Sequence, residues 1–289
     1  MNVEEAQDEV QDAVEASSDW PDIVLGMTRG MTNDAYHGDR SAVSSTQLKR
    51  MLISPAHFLA GFTDPEESTE AMHYGTVLHG RMLEPDSFAT RFFALPKVNR
   101  TTKQGKAMHE TYMQEAAGRF TFPAGWLDGI ERIVDNARMH KRVRSILSGG
   151  EAEVAFSWID EETGIKLKMK ADWLTPGFNL MADVKSAVDV TSDGFGKACA
   201  RLGYALSAFM YTEGLRAVTG ASAEWAFIAC EKDAPHTVAA YRGGEALMRR
   251  GRALYRSALR RLSECRSQGR FPMLQADGEW EDAQLPRWY

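Results

Sequence analysis

The chain has 289 residues, of which 44% are hydrophobic and 26% charged, and a formal net charge of −6. This is ordinary globular composition, which excludes a collagen-like, low-complexity or wholly disordered chain. No run of about eighteen apolar residues offers a membrane span, and acids stand where a secretory leader would place Lys or Arg ahead of an apolar stretch. Three cysteines, Cys199, Cys230 and Cys265, form no C-x-x-C pair. That disfavours a disulfide framework, a cysteine-rich zinc site and a four-cysteine iron–sulfur cluster, and points to a reducing cytoplasm.

Charge is unevenly spread. Residues 1–25 hold Glu4, Glu5, Asp8, Glu9, Asp12, Glu15, Asp19 and Asp22 with no Lys or Arg, so that segment is −8 and the remainder +2. A block of like charge reads as a solvated tail. The expected organisation is an acidic, flexible arm over residues 1–30 and a single domain over 31–289.

In chain order, Ser44 and Gln47 are three apart and offer a capping box, with Leu48, Met51 and Leu52 following at helical spacing up to Pro55. Residues 70–84 read as a helix with Met72, Leu78, Met82 and Leu83 near one stripe. Residues 103–118 and 126–147 are further helices, and Gly149-Gly150 stops the second. The period then falls to two. Residues 152–159 place Val154, Phe156 and Trp158 on one side. In 165–174, Ile165, Leu167, Met169, Ala171 and Trp173 take one face, and Lys166, Lys168, Lys170 and Asp172 the other. Pro176-Gly177 is a turn, and 180–185 is the return strand. A long helix over 192–218, short strands near 223–230 and 236–242, and a last helix over 244–268 complete the chain. The fold class is α/β, a central mixed sheet flanked by helices, with a helical N-terminal half.

The hairpin after residue 165 carries the chemistry. If Thr175 pairs with Leu180, Asp172 lies opposite Asp183, with Cβ atoms about 4.5–5.5 Å apart. Two facing carboxylates repel. A divalent cation between them reverses the sign, because hard cations take oxygen ligands. Lys185 shares a face with Asp183, where an ammonium can stabilise charge on a phosphate undergoing hydrolysis. Taken alone, Asp-x-Lys is equally a surface ion pair. On residues alone, Glu153 reads as a polar edge residue and His79 as a hydrogen-bonded core histidine.

In sequence, these residues stand among Tyr36-His37, Ser44-Ser45-Thr46-Gln47, Tyr74-Gly75-Thr76-Val77-Leu78-His79, Leu83-Glu84-Pro85, Asn99-Arg100-Thr101-Thr102, Gly105-Lys106, Ala152-Glu153, Asp160-Glu161-Glu162-Thr163-Gly164, Asp172, Asp183-Val184-Lys185 and Leu285-Pro286-Arg287-Trp288. Over most of residues 32–289 the chain resembles the nuclease domain of exonuclease VIII (RecE-type) proteins of phages and prophages, in the PD-(D/E)XK superfamily. The resemblance implies a restriction-endonuclease-like core. It makes Asp172 and Asp183 the metal-binding carboxylates and Lys185 the catalytic lysine. The Val184 carbonyl and His79 become further metal ligands, and Glu153 a family glutamate of the catalytic set. It also implies a magnesium-dependent exonuclease, with manganese substituting. Such an enzyme resects double-stranded DNA from 5′ ends and leaves 3′ single strands for an annealing partner of RecT type. It would act as a trimeric or tetrameric ring in the cytoplasm of a bacterial host, away from membranes. One position departs from the family: Ser207 stands where a Tyr-x-x-Gln pattern starting at Tyr204 would place Gln.

For DNA contact the expected residues are Lys166, Lys168 and Lys170 beside Asp172, Arg100 and Lys103 in a polar basic loop, and Tyr204. Arg249, Arg252, Arg256 and Arg260 form a stripe on the last helix that reads first as a solvated face. Trp225, Phe227 and Tyr241 fit strand packing better than base stacking. Competing readings are an endonuclease of the same fold and an inactive DNA-binding module, the latter motivated by Ser207.

Overall fold

A computed structural model describes residues 23–63, 68–276, 278 and 280–283. The acidic residues 1–22 and the Leu285–Trp288 motif lie outside the described residues. The N-terminal part runs β1 (Gly26–Thr28), α1 (Asn33–Gly38), α2 (Ser45–Ile53), α3 (Pro55–Thr63), α4 (Glu70–Leu83), α5 (Pro85–Arg91), β2 (Phe92–Leu95), α6 (Lys103–Ala116), β3 (Phe120–Pro123), α7 (Leu127–Met139) and α8 (Lys141–Leu147). The rest runs β4 (Glu151–Ile159), β5 (Lys166–Leu174), β6 (Leu180–Ala187), α9 (Ser192–Arg201), α10 (Tyr204–Thr219), β7 (Glu224–Glu231), β8 (Val238–Arg242) and α11 (Glu245–Gln268).

Six strands form one mixed sheet in the order β1-β4-β5-β6-β7-β8, and β2 and β3 form a separate parallel pair. Only β6 and β7 run parallel within the large sheet. The α9–α10 crossover joins them, as parallel strands require. Alternation then buries both faces. Met181, Phe227 and Ala229 pack with α2, α3, α9, α10 and α11. Ala182, Val184, Ala226 and Ile228 pack with α4, α7, α8 and the β2–β3 pair. Trp225 and Phe227 are buried in the first of these layers, as strand packing requires.

The Ser44 capping box forms in both directions, fixing the start of α2. Three expectations are corrected. Residues 26–28 belong to the sheet, where Gly26, Met27 and Thr28 pair with Ser157, Phe156 and Ala155, so the arm cannot extend to residue 30. The helix expected over 192–218 is two helices, because Gly203 adopts φ 63°, a left-handed conformation that suits glycine. The helix expected over 126–147 likewise breaks at His140, whose extended backbone ends α7 and whose ring caps α8 by accepting from the Val143 N–H.

Candidate active site

Strands β5 and β6 keep the expected register, pairing Trp173 with Ala182 and Leu174 with Met181. Toward residue 172 the strands part. The first half of β5 is instead bridged by Val43, whose backbone exchanges hydrogen bonds with Lys166 and Lys168. In the resulting cleft the Asp172 carboxylate replaces the backbone ladder, accepting the Val184 N–H at 2.9 Å.

On the other side of β5, Glu153 of β4 holds φ 56° although it is not glycine. Such a conformation costs roughly 1–3 kcal/mol and persists where surrounding structure imposes it. The alternation switches sides here. Val154 and Ala171 pack in one layer, and Ala152 and Trp173 in the other. Trp173 therefore leaves the face expected for it and donates from its indole Nε1 to the Ile146 carbonyl at 3.0 Å.

The switch gathers three donors. Ligand atoms of His79, Glu153 and Asp172 lie within 4.8 Å of one another. His79 comes from α4, with Nδ1 3.6 Å from the Asp172 carboxylate and Nε2–H donating to the Val184 carbonyl at 2.7 Å. One imidazole, two carboxylates and a carbonyl form a donor set suited to a hard divalent cation. Burial pushes the Asp172 carboxyl up to about 7, with Asp183 and Glu153 adding and His79 and Lys185 opposing. The carboxyl is therefore held in a poorly solvated place where its charge is costly, and a divalent cation among these donors would relieve that cost.

Asp183 is nearly buried, and its carboxylate accepts from Lys185 Nζ at 2.5 Å, apart from the His79–Glu153–Asp172 trio. Burial alone would lower the Lys185 pKa, but Asp183 and Asp172 outweigh it and raise it above the ordinary lysine value. The Tyr204 ring lies 5.4 Å from Lys185 Nζ. Next to the trio is a cavity of about 200 Å³ lined in part by Asn33, Tyr36, Thr76, His79, Glu153 and Tyr211. It shares Glu153, Lys170 and Arg91 with a groove of about 850 Å³ that reaches Arg119.

The lysine face expected to track phosphate is largely covered by α1 and the segment after it. Lys168 is buried, donates to the carbonyls of Tyr36 (2.6 Å) and Asp39, and lies 3.9 Å from the Asp39 carboxylate. Buried in this way it cannot reach a nucleic-acid backbone, contrary to the expected DNA contact. Lys166 donates to the Ser41 hydroxyl at 2.9 Å. Lys170 alone of the three reaches the site, bonded to Glu153 and to Asn33, each at 2.6 Å. Arg100 and Lys103 are exposed by the entry to α6, and neither lines the site cavity. Arg260 is exposed and pairs with Glu162, as on a solvated helix face, whereas Arg256 is half-buried and pairs with the buried Asp160 as well as with Glu162.

Two residues missed in the sequence stand at the site. Tyr211 lies seven residues, about two helical turns, beyond Tyr204 on α10. Burial together with Asp183 and Asp172 raises its pKa. The spacing was a usable signal. Lys49 of α2 is the other, its Nζ 5.6 Å from the Tyr204 ring.

Residues 44–280 match the family described as PDDEXK-like domain of unknown function (DUF3799), and the chain belongs to that family. The expected PD-(D/E)XK core agrees with this membership. In fold the chain is similar to a candidate exonuclease from Eubacterium rectale, with TM-score 0.60 and 12% identity, covering 90% of this chain and 97% of that one. A phage-related exonuclease from Haemophilus somnus 129PT aligns over 78% of this chain and 96% of its own, at TM-score 0.30 and 13% identity. No curated protein matches the sequence.

Proposed function

We propose that the protein is a magnesium-dependent exodeoxyribonuclease that digests duplex DNA from 5′ ends. The 3′ strands it leaves would serve an annealing partner of RecT type. The observation that carries this reading is the cleft between β5 and β6, where His79, Glu153 and Asp172 converge beside the Asp183–Lys185 pair. Family membership and the E. rectale fold likeness support a nuclease; 5′ polarity, the ring oligomer and the cytoplasmic setting rest on the resemblance to exonuclease VIII-type proteins. Among the described residues, no helix is long and apolar enough to cross a membrane.

His79, Glu153 and Asp172 would hold the cation, with the Val184 carbonyl and Asp183 at its edge. The bound ion supplies Lewis-acid charge at the phosphate. The chain's own residues do the rest. Asp172 orients β6 through the Val184 N–H, and His79 holds the Val184 carbonyl from the other side. Lys170 fixes the Glu153 carboxylate. Lys185, held charged by its two carboxylate neighbours, donates to the phosphate oxygen on which negative charge grows.

The test uses linear duplexes labelled at either the 5′ or the 3′ end, together with a covalently closed circle. Early release of 5′ label from linear DNA and an intact circle are expected. Nicking of the circle would replace the exonuclease with an endonuclease, and early release of 3′ label would reverse the polarity.

A further inference from the structure

Lys49 belongs to no element of the metal site, yet its ammonium stands by the Tyr204 ring, which the Lys185 ammonium also approaches. The capping box fixes α2, and the Lys49 stem runs alongside Gly203, where even an added Cβ would meet Cγ, Cδ and Cε at 3.4 Å, an ordinary contact distance. The stem leads Nζ to the Tyr204 ring, which Lys185 also approaches. Distances of 5.6 and 5.4 Å to one ring centroid put the two ammoniums at most 11.0 Å apart. Their partners differ. Lys185 has Asp183 at 2.5 Å. Among the described residues, Lys49 has no carboxylate within 4.0 Å and no hydrogen-bond acceptor.

A largely buried ammonium without a counter-ion is costly, and a second ammonium nearby adds to the cost. Burial, and then Lys185, pull Lys49 down to about 8 against Asp183. Negative charge supplied from outside the chain would relieve both effects. A DNA strand carries one phosphate per about 3.4 Å of axis, so two ammoniums within 11.0 Å of each other are close enough to serve neighbouring phosphates of one strand.

We propose that Lys49, with Lys185 across the Tyr204 ring, forms a second phosphate subsite that binds a backbone phosphate of the substrate strand adjacent to the scissile one. The proposal rests on the nuclease reading above.

The experiment measures equilibrium binding of a linear DNA duplex to the full chain in EDTA across a KCl series, and hydrolysis with magnesium. The variants are Lys49→Met, which keeps the apolar stem, Lys49→Gln, Lys49→Arg and the exposed control Lys197→Gln. Both neutral Lys49 variants should bind roughly ten- to a hundredfold more weakly. Their log K against log salt slope should fall by about 0.9, the loss of one phosphate contact. Lys49→Arg should recover the slope, and Lys197→Gln should match the native chain. If a neutral variant folds and keeps the native slope while the native chain binds and cleaves DNA, the subsite is overturned and the nuclease reading stands. If the native chain neither binds nor cleaves DNA, the nuclease reading falls and the subsite falls with it.

Discussion

Asp172→Asn should stabilise the metal-free protein while removing its response to magnesium. The Asp172 carboxyl titrates at about 7 rather than 3.8, chiefly because burial disfavours its charge. That difference corresponds to about 4 kcal/mol. Below pH 3.8 the group is protonated in both folded and unfolded chains and the penalty is absent. Between 3.8 and about 7 the unfolded chain ionises first, so stability falls as pH rises, and above about 7 the full penalty stands. The amide keeps an oxygen for the Val184 N–H, so the substitution removes charge more than structure. Urea unfolding in EDTA, followed by circular dichroism, should show the variant about 4 kcal/mol more stable at pH 8, shrinking to about 1 kcal/mol at pH 4.5. Magnesium should raise the wild-type midpoint by mass action and leave the variant nearly unmoved. A variant no more stable than wild type at pH 8, or a gain independent of pH, would refute the idea that burial penalises the Asp172 charge in this cleft.

Lys168→Met should cost about 3 kcal/mol in urea unfolding, because it strands the buried Asp39 carboxylate. Unchanged stability with weakened DNA binding would restore the phosphate-contact role. Glu153→Gly should relieve the φ 56° backbone and leave metal-free stability unchanged or up by about 1 kcal/mol, while hydrolysis is lost. A loss of stability greater than about 1 kcal/mol would show that the conformation is not strained.

Much of this molecule is legible in its sequence because local rules agree. The Pro176-Gly177 turn fixes the hairpin register that brings Asp172 beside β6, and Ser44 with Gln47 announces α2. Failures occur where distant chain decides. Alternation correctly puts Lys166, Lys168 and Lys170 on one face. It carries no information that Tyr36 and Asp39, 132 and 129 residues earlier, supply the carbonyls that bury Lys168. Trp173 lies in the layer opposite to the one alternation predicts, for a similar reason. The switch of sides depends on a left-handed glutamate, and nothing in the residue type signals that backbone. Lys49 is not legible as a site residue because its helix carries a packing signature, and the Tyr204 ring it approaches lies far along the chain.

The central claim is that the His79–Glu153–Asp172 cleft with Asp183 and Lys185 hydrolyses DNA. Release of acid-soluble nucleotide from a linear duplex by the native chain and by folded Lys185→Met, each with magnesium and with EDTA, tests it most directly. Hydrolysis by the native chain that needs magnesium and falls about a thousandfold in Lys185→Met is the expected result. Equal hydrolysis by the two proteins, or none by the native chain with magnesium or manganese, would contradict it.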